Sequence, residues 1–156
     1  MESLAAILHD LGLLAHGGPL LLFAVMLPIA GRSKGLEPWT VDRCWRAWAP
    51  ASGVALGALI LGGLLRYHQL RGDFSWGVEQ GQDLLFLVKH LIFLLFWVNY
   101  AYTEIWVAEP MRRLDSLAGP PGDLPAYMAA RTRVIRHLWV SATAVVAMAV
   151  LACLPA

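Results

Sequence analysis

Four long apolar stretches dominate this chain and determine the solvent in which it can fold. They cover roughly residues 4–30, 48–67, 84–108 and 134–154. A transmembrane helix needs about 20 such residues to cross the hydrocarbon core of a bilayer. The chain is 58% hydrophobic and 15% charged, whereas a soluble domain carries about 25% charged residues. We therefore predict an all-α polytopic membrane protein, a four-transmembrane-helix bundle in which residues 1–156 form a single domain.

The first apolar stretch lies where a secretory signal peptide would lie, but its charges differ from those of a signal peptide. Such a peptide begins with a positively charged segment and has an apolar segment of about 7–15 residues. Here the early charges are Glu2 and Asp10, and the apolar stretch is longer. We expect this stretch to remain as the first helix of the mature protein.

The distribution of lysine and arginine predicts the orientation in the membrane, because cytoplasmic loops carry an excess of these residues. Four lie in the first loop and five lie in or beside the third: Arg32, Lys34, Arg43, Arg46, Arg112, Arg113, Arg131, Arg133 and Arg136. The second loop holds only Arg66 and Arg71. We expect a cytoplasmic (inner) membrane protein with loops one and three in the cytoplasm and both termini outside, on the periplasmic side.

Several classes of function receive no support. The net charge of +1 gives no reason to expect a nucleic-acid partner, so the lipid bilayer is the partner that the composition predicts. Cys44 and Cys153 fall on opposite sides of the predicted membrane, which is too far apart for an intrachain disulfide. The sequence has no phosphate-binding loop, no HExxH motif and no Ser/His/Asp grouping, and we predict no catalytic residue.

The histidines are the residues that indicate chemistry. At 1.5 Å per residue, His9 lies about 8 Å and His90 about 9 Å below the outer surface of the predicted bundle. His16 follows His9 by seven residues on nearly the same helical face, and His68 ends the second helix on the outer side. Neutral imidazole ligates copper and iron. We predict a metal site in the outer leaflet formed by His9, His16, His68 and His90, with copper as the first candidate.

Haem b is the alternative cofactor. His9 and His90 lie at matched depth, so they could ligate a haem iron from opposite faces, and Gly12 would leave room for the porphyrin. Lys89 would then lie near a haem propionate or an anionic substrate. Its long side chain could equally extend to water at the membrane surface.

Other residues have structural explanations at this stage. Histidines also form hydrogen bonds between helices, and this is the first expectation for His68 and for His137 at the inner end of the last helix. Gly53 and Gly57 have the GxxxG spacing that lets a neighbouring backbone or a flat ligand approach closely. We expect Glu104 to pair with an arginine of residues 131–136.

Three segments carry a resemblance to a known family: ILHDLGLLAHGGPLLLFAVML (7–27), LLFLVKHLIFLLFWVNY (84–100) and RTRVIRHLWVSATAVVAMAVLACLPA (131–156). Together they resemble the first, third and last helices of copper-resistance D-type (CopD-like) membrane proteins. That resemblance implies copper uptake or delivery at the cytoplasmic membrane. The chain also resembles the membrane protoporphyrinogen oxidases (HemJ-type) that work without flavin. In that family a first-helix histidine and a third-helix lysine, here His9 and Lys89, are associated with haem.

Three hypotheses follow for the function. The first is copper handling, as a transporter or as a protein that receives copper from a periplasmic copper donor. The second is a haem b protein, either an electron-transfer subunit or a protoporphyrinogen oxidase. The third is a non-catalytic accessory subunit that packs against other membrane subunits in a larger complex. Enzymatic activity stays open, and an enzyme of this kind would be a haem-dependent membrane oxidoreductase.

Overall fold

A computed structural model describes residues 2–33, 37–71, 81–115 and 120–152, and nearly all of them are helical. The elements are α1 (Glu2–Ala30), α2 (Pro38–Arg71), α3 (Gly81–Tyr102), a π-helical turn (Thr103–Val107), α4 (Glu109–Leu114) and α5 (Leu124–Ala152). Within these ranges, four helices are long and apolar enough to cross a membrane. The prediction of an all-α bundle of four membrane-spanning helices is confirmed.

Two helices begin earlier than hydropathy predicts, α2 at Pro38 instead of residue 48 and α5 at Leu124 instead of residue 134. The added turns carry charged residues, which lower the mean hydropathy, but one face of each is buried. Trp45 is fully buried on the first turns of α2, and Tyr127 is fully buried on those of α5. Asp123 caps α5, because its Oδ1 accepts a hydrogen bond from the Ala126 N–H at 3.0 Å.

The third span is not one continuous α-helix, although the sequence predicts one over 84–108. After Tyr102 the backbone widens into a π-helical turn, and the Ala108 N–H donates to the Thr103 carbonyl at 2.8 Å. Helix α4 then begins with Pro110 in its first turn, where the missing N–H of proline costs no helical hydrogen bond. Single π turns of this kind often mark functional sites.

Helix α1 lies between α2 and α5, and α5 packs in turn against α3. Glycine brings α1 and α2 into backbone contact at two levels. A Cβ added to Gly12 would lie 2.6 Å from the Leu59 nitrogen, and one added to Gly62 would lie 2.5 Å from the His9 nitrogen. The predicted GxxxG pair does not make this contact, because no described residue lies within 4 Å of a Cβ at Gly53 or Gly57.

The bundle has two distinct ends. We call the end where α1 stops and α2 and α5 begin the arginine end, because the arginines of the two connecting loops gather there. The opposite end, where α1 begins and α2 stops, is the histidine end. Large apolar side chains on the outside are exposed along all four long helices, among them Leu14, Val54, Leu95 and Val140. In a membrane these side chains face lipid.

Candidate functional site

His16 is the central polar residue of the bundle interior, with only 1% of its surface exposed. Its position on α1 aims the imidazole at α2. The ring Nδ1 lies 2.8 Å from the Ser52 hydroxyl and 3.3 Å from the Ser52 carbonyl oxygen. A carbonyl oxygen can only accept, so we assign the proton to Nδ1. That tautomer leaves a lone pair on Nε2.

The Ser52 hydroxyl also forms a hydrogen bond to a third helix. The Ser52 Oγ lies 2.7 Å from the Tyr100 hydroxyl of α3. His16, Ser52 and Tyr100 therefore form a hydrogen-bonded chain across α1, α2 and α3, and all three are buried. We call these three residues the histidine centre.

Aromatic rings enclose the imidazole of His16. Its ring centroid lies 4.8 Å from that of Tyr100, 5.4 Å from that of Phe96 and 5.7 Å from that of Trp48. The Tyr100 and Phe96 rings meet it edge to face. The imidazole is thus fixed in orientation by packing on one side and by hydrogen bonds on the other.

The Nε2 atom of His16 is buried and has no hydrogen-bond partner among the described residues. Most buried polar atoms in proteins are hydrogen-bonded, so an exception calls for an explanation. Metal-ligating histidines commonly donate their other N–H to a carbonyl or carboxylate, which fixes the ring and exposes one lone pair. His16 has this arrangement.

The other predicted ligands lie at the histidine end. His9 is about one third exposed, and its Nδ1 lies 3.1 Å from the Asp10 carboxylate. Its ring also lies beside Gly63 of α2. His90 is half-buried, with its ring 6.5 Å from that of Tyr67 on the last turns of α2.

His68 and Lys89 complete the predicted set. His68 is exposed on α2, one residue after Tyr67, and Lys89 is half-buried on α3 beside His90. The histidine end therefore holds His9, His68 and His90, while His16 lies deeper in the interior. Among the residues whose positions are described, no three His, Cys, Asp or Glu side chains stand close enough together to hold one metal ion.

Gly12 does not provide the space expected for a porphyrin. The α2 backbone at Ala55 and Leu59 fills the volume next to it. The glycine serves close packing of two helices instead. The expectation that Gly12 leaves room for a porphyrin was therefore wrong, and the prediction that His9 and His90 ligate a haem iron stays a prediction.

His137 has a structural role, as expected. Its Nδ1 lies 2.8 Å from the Asn99 side-chain oxygen, and the Asn99 amide donates to the His137 carbonyl at 3.0 Å. The same amide donates to the Ser141 hydroxyl at 2.8 Å. Asn99 of α3 thus joins two turns of α5.

A buried ion pair at the arginine end was not predicted. The Arg131 Nε lies 2.8 and 3.0 Å from the two Asp42 carboxylate oxygens, and the Tyr127 hydroxyl donates to the same carboxylate at 2.6 Å. Arg131 also donates to the Leu27 carbonyl at 2.5 Å. The pair joins the end of α1 to the starts of α2 and α5. One signal was available: Asp42 is the only acidic residue of α2.

Further ion pairs fix the short helix α4 and the residue after it. Asp115, which is nearly fully buried, accepts hydrogen bonds from Arg43 and Arg46 of α2. Glu104 pairs with Arg112 at 2.9 Å, so the expectation of a partner from residues 131–136 was wrong. Glu104 lies in the π-helical turn, and Arg112 of α4 donates to its backbone carbonyl as well as to its carboxylate.

The cysteines add no chemistry to this picture. Cys44 is a free, exposed thiol at the arginine end. Cys153 lies outside the described residues, so the prediction that the two do not pair stays a prediction.

The fold and its exposed apolar surface define a multi-pass membrane protein with a four-helix bundle. Comparison of the chain with protein-family models, with curated proteins and with solved structures gives no match.

Proposed function

We propose that this protein takes up or delivers copper across the cytoplasmic membrane, with His16 as the ligand in the interior of the bundle. In this proposal the ion is cargo that passes through the protein. The histidine end and both termini lie outside, and the arginine end lies in the cytoplasm, in agreement with the excess of Lys and Arg in loops one and three.

One observation carries the proposal: the buried, unpartnered Nε2 of His16. Imidazole is a good ligand for copper. A single ion needs far less room than a porphyrin, which suits an interior where aromatic rings already surround the imidazole. Trp48 is one of these rings, and the face of a tryptophan ring attracts a cation.

His9 supplies a first station on the way in. It is partly exposed and precedes His16 by seven residues, which is about 10 Å along α1. Seven residues return to nearly the same face of a helix, so both imidazoles lie on the side of α1 that meets α2. His90 and His68 lie at the same end and would help to receive copper from a periplasmic copper donor.

Elemental analysis of the purified protein, loaded with Cu(I) under reducing conditions, tests the proposal. We expect about one copper per chain to survive gel filtration, and His16→Phe to abolish this retention. His137→Phe is the matched control, because it also removes a hydrogen-bonded histidine between helices but leaves His16 intact. Ser52→Ala is a second control, since it removes a partner of Nδ1 and keeps Nε2.

The same preparations discriminate the other hypotheses. A reduced-minus-oxidised spectrum with a Soret band that His9→Ala and His90→Ala remove would favour haem b and contradict the copper proposal. Absence of both copper and haem from the loaded protein would also contradict it and would favour an accessory subunit of a larger complex.

A further inference from the structure

A shallow apolar groove runs along the outside of the bundle between α3 and α5. Its walls are Ile92, Leu95, Phe96, Trp139, Val140, Thr143, Ala144 and Ala147. The one hydroxyl among them donates to the Trp139 carbonyl of its own helix at 2.9 Å. The lining is otherwise almost entirely apolar, so the groove suits a hydrocarbon chain.

The groove has the length of an acyl chain in one leaflet. From Trp139 to Ala147 it follows α5 for eight residues, about 12 Å. Half of the hydrocarbon core of a bilayer is about 15 Å thick. The end of the groove at Trp139 is the one nearer the arginine end, and from there the groove runs along α5 toward the histidine end.

Two arginines stand above the mouth of the groove. Arg136 precedes Trp139 by three residues and Val140 by four, and Arg133 precedes Arg136 by three. Residues three and four apart share a helical face, so both arginines lie on the face of α5 that lines the groove. Both are exposed. The exposed ring of Tyr102 on α3 lies near this level, 5.5 Å from that of His137.

Neither Arg133 nor Arg136 has an ion pair within the part of the chain that the structure describes. The four carboxylates that form ion pairs at this end use other arginines: Asp42 with Arg131, Asp115 with Arg43 and Arg46, Glu104 with Arg112, and Glu109 with Arg112 and Arg113. The groove thus has a cationic mouth without an internal counter-ion. A guanidinium binds a phosphate through two parallel hydrogen bonds.

We propose that the α3/α5 groove with Arg133 and Arg136 is a binding site for one anionic phospholipid. The phosphate lies at the arginines and one acyl chain lies in the groove against Trp139. Charge complementarity favours this occupant over a second copy of the chain, whose helix would have to bring a carboxylate to the same level. The proposal does not depend on copper handling.

Quenching of Trp139 by brominated lipids tests the site. The protein is reconstituted in phosphatidylcholine vesicles that contain increasing fractions of dibrominated phosphatidylglycerol or of dibrominated phosphatidylcholine. The difference in fluorescence between the wild type and Trp139→Phe isolates this tryptophan from the other six. An arginine near the surface strengthens binding of an anionic lipid about fivefold. We therefore expect half-maximal quenching at a several-fold lower fraction of the glycerol lipid.

Three variants distinguish a specific lipid-binding site from a non-specific electrostatic attraction of anionic lipids. Arg133→Gln with Arg136→Gln should abolish the preference for phosphatidylglycerol, whereas Arg32→Gln, at the same end but in the turn after α1, should leave it unchanged. Ala147→Phe fills the groove without changing a charge and should weaken quenching by both lipids.

Other results would overturn the proposal. Equal quenching by the two lipids would show that the arginines select no headgroup. Loss of the preference in Arg32→Gln as well would show a diffuse attraction of the whole basic end. Weak quenching by both lipids, together with cross-linking of two chains through α5, would make a second copy the occupant.

Discussion

The two halves of this bundle hold their helices together by different means. At the arginine end, Arg131 and Asp42 form a buried ion pair that Tyr127 and the Leu27 carbonyl complete. Toward the histidine end, α1 and α2 meet backbone to backbone at glycine, and the histidine centre is neutral. The first arrangement relies on charge, and the second relies on close packing.

The two polar groups also differ in what they leave unsatisfied. The polar atoms of Asp42, Tyr127 and Arg131 all have partners or are accessible to water within the described residues, whereas the Nε2 of His16 is buried and has no partner there. The indole N–H of Trp45 and one carboxylate oxygen of Glu104, at the arginine end, are also buried without a hydrogen-bond partner among the described residues, but an indole N–H can only donate and has no lone pair for a metal. A saturated network has no capacity to bind anything else, so it stabilises the fold. An ordered but unsatisfied nitrogen can bind a ligand without rearrangement.

Removal of the buried Arg131 guanidinium should lower the stability of the protein more than any other substitution considered below. Arg131→Met leaves the Asp42 carboxylate buried and unpaired, which should cost about 3–5 kcal/mol of the free energy of unfolding. Unfolding in mild detergent by a chemical denaturant measures this loss. Asp42→Leu combined with Arg131→Met should recover most of the stability, because no uncompensated charge remains. If the double variant is as unstable as the single one, the ion pair is not the origin of the loss.

Removal of one tyrosine hydroxyl from each half compares directly how much their hydrogen bonds contribute to stability. Tyr127→Phe removes a hydrogen bond to a carboxylate and should cost about 1.5–3 kcal/mol, whereas Tyr100→Phe removes one to a neutral hydroxyl and should cost about 0.5–1.5 kcal/mol. The same denaturation experiment measures both. Equal losses would contradict the distinction between a charged and a neutral network.

Much of this architecture can be predicted from the sequence, because the hydropathy of a segment depends only on its own composition and not on contacts with other segments. The apolar stretches identified all four spans. The first turns of α2 and α5 were missed because their charged residues conceal a buried face. His16 was identified as a candidate ligand, but its partners Ser52 and Tyr100 were not. Ser52 lies 36 residues away from His16 in the sequence, and a contact at that distance leaves no periodic signal.

Substitution of two glycines in the histidine half should change stability by smaller amounts, and the two changes should differ. Gly12→Val places a side chain against the α2 backbone and should cost about 1–3 kcal/mol. In Gly57→Ala the new methyl group meets no described residue within 4 Å, so the substitution should cost nothing and should raise stability by about 0.5–1 kcal/mol through the better helix propensity of alanine. Thermal unfolding of the two variants checks the contrast. A large loss in Gly57→Ala would indicate that this face packs against another chain.

The most direct test of the central claim is the effect of copper on the thermal unfolding of the wild type and of His16→Phe. A ligand that binds only the folded state stabilises it by about 2.7 kcal/mol at one hundred times its dissociation constant. We predict that Cu(I) raises the midpoint of the wild type and of His137→Phe but leaves that of His16→Phe unchanged. An equal rise in all three proteins, or no rise in the wild type, would contradict the claim that the unpartnered nitrogen of His16 is a copper ligand.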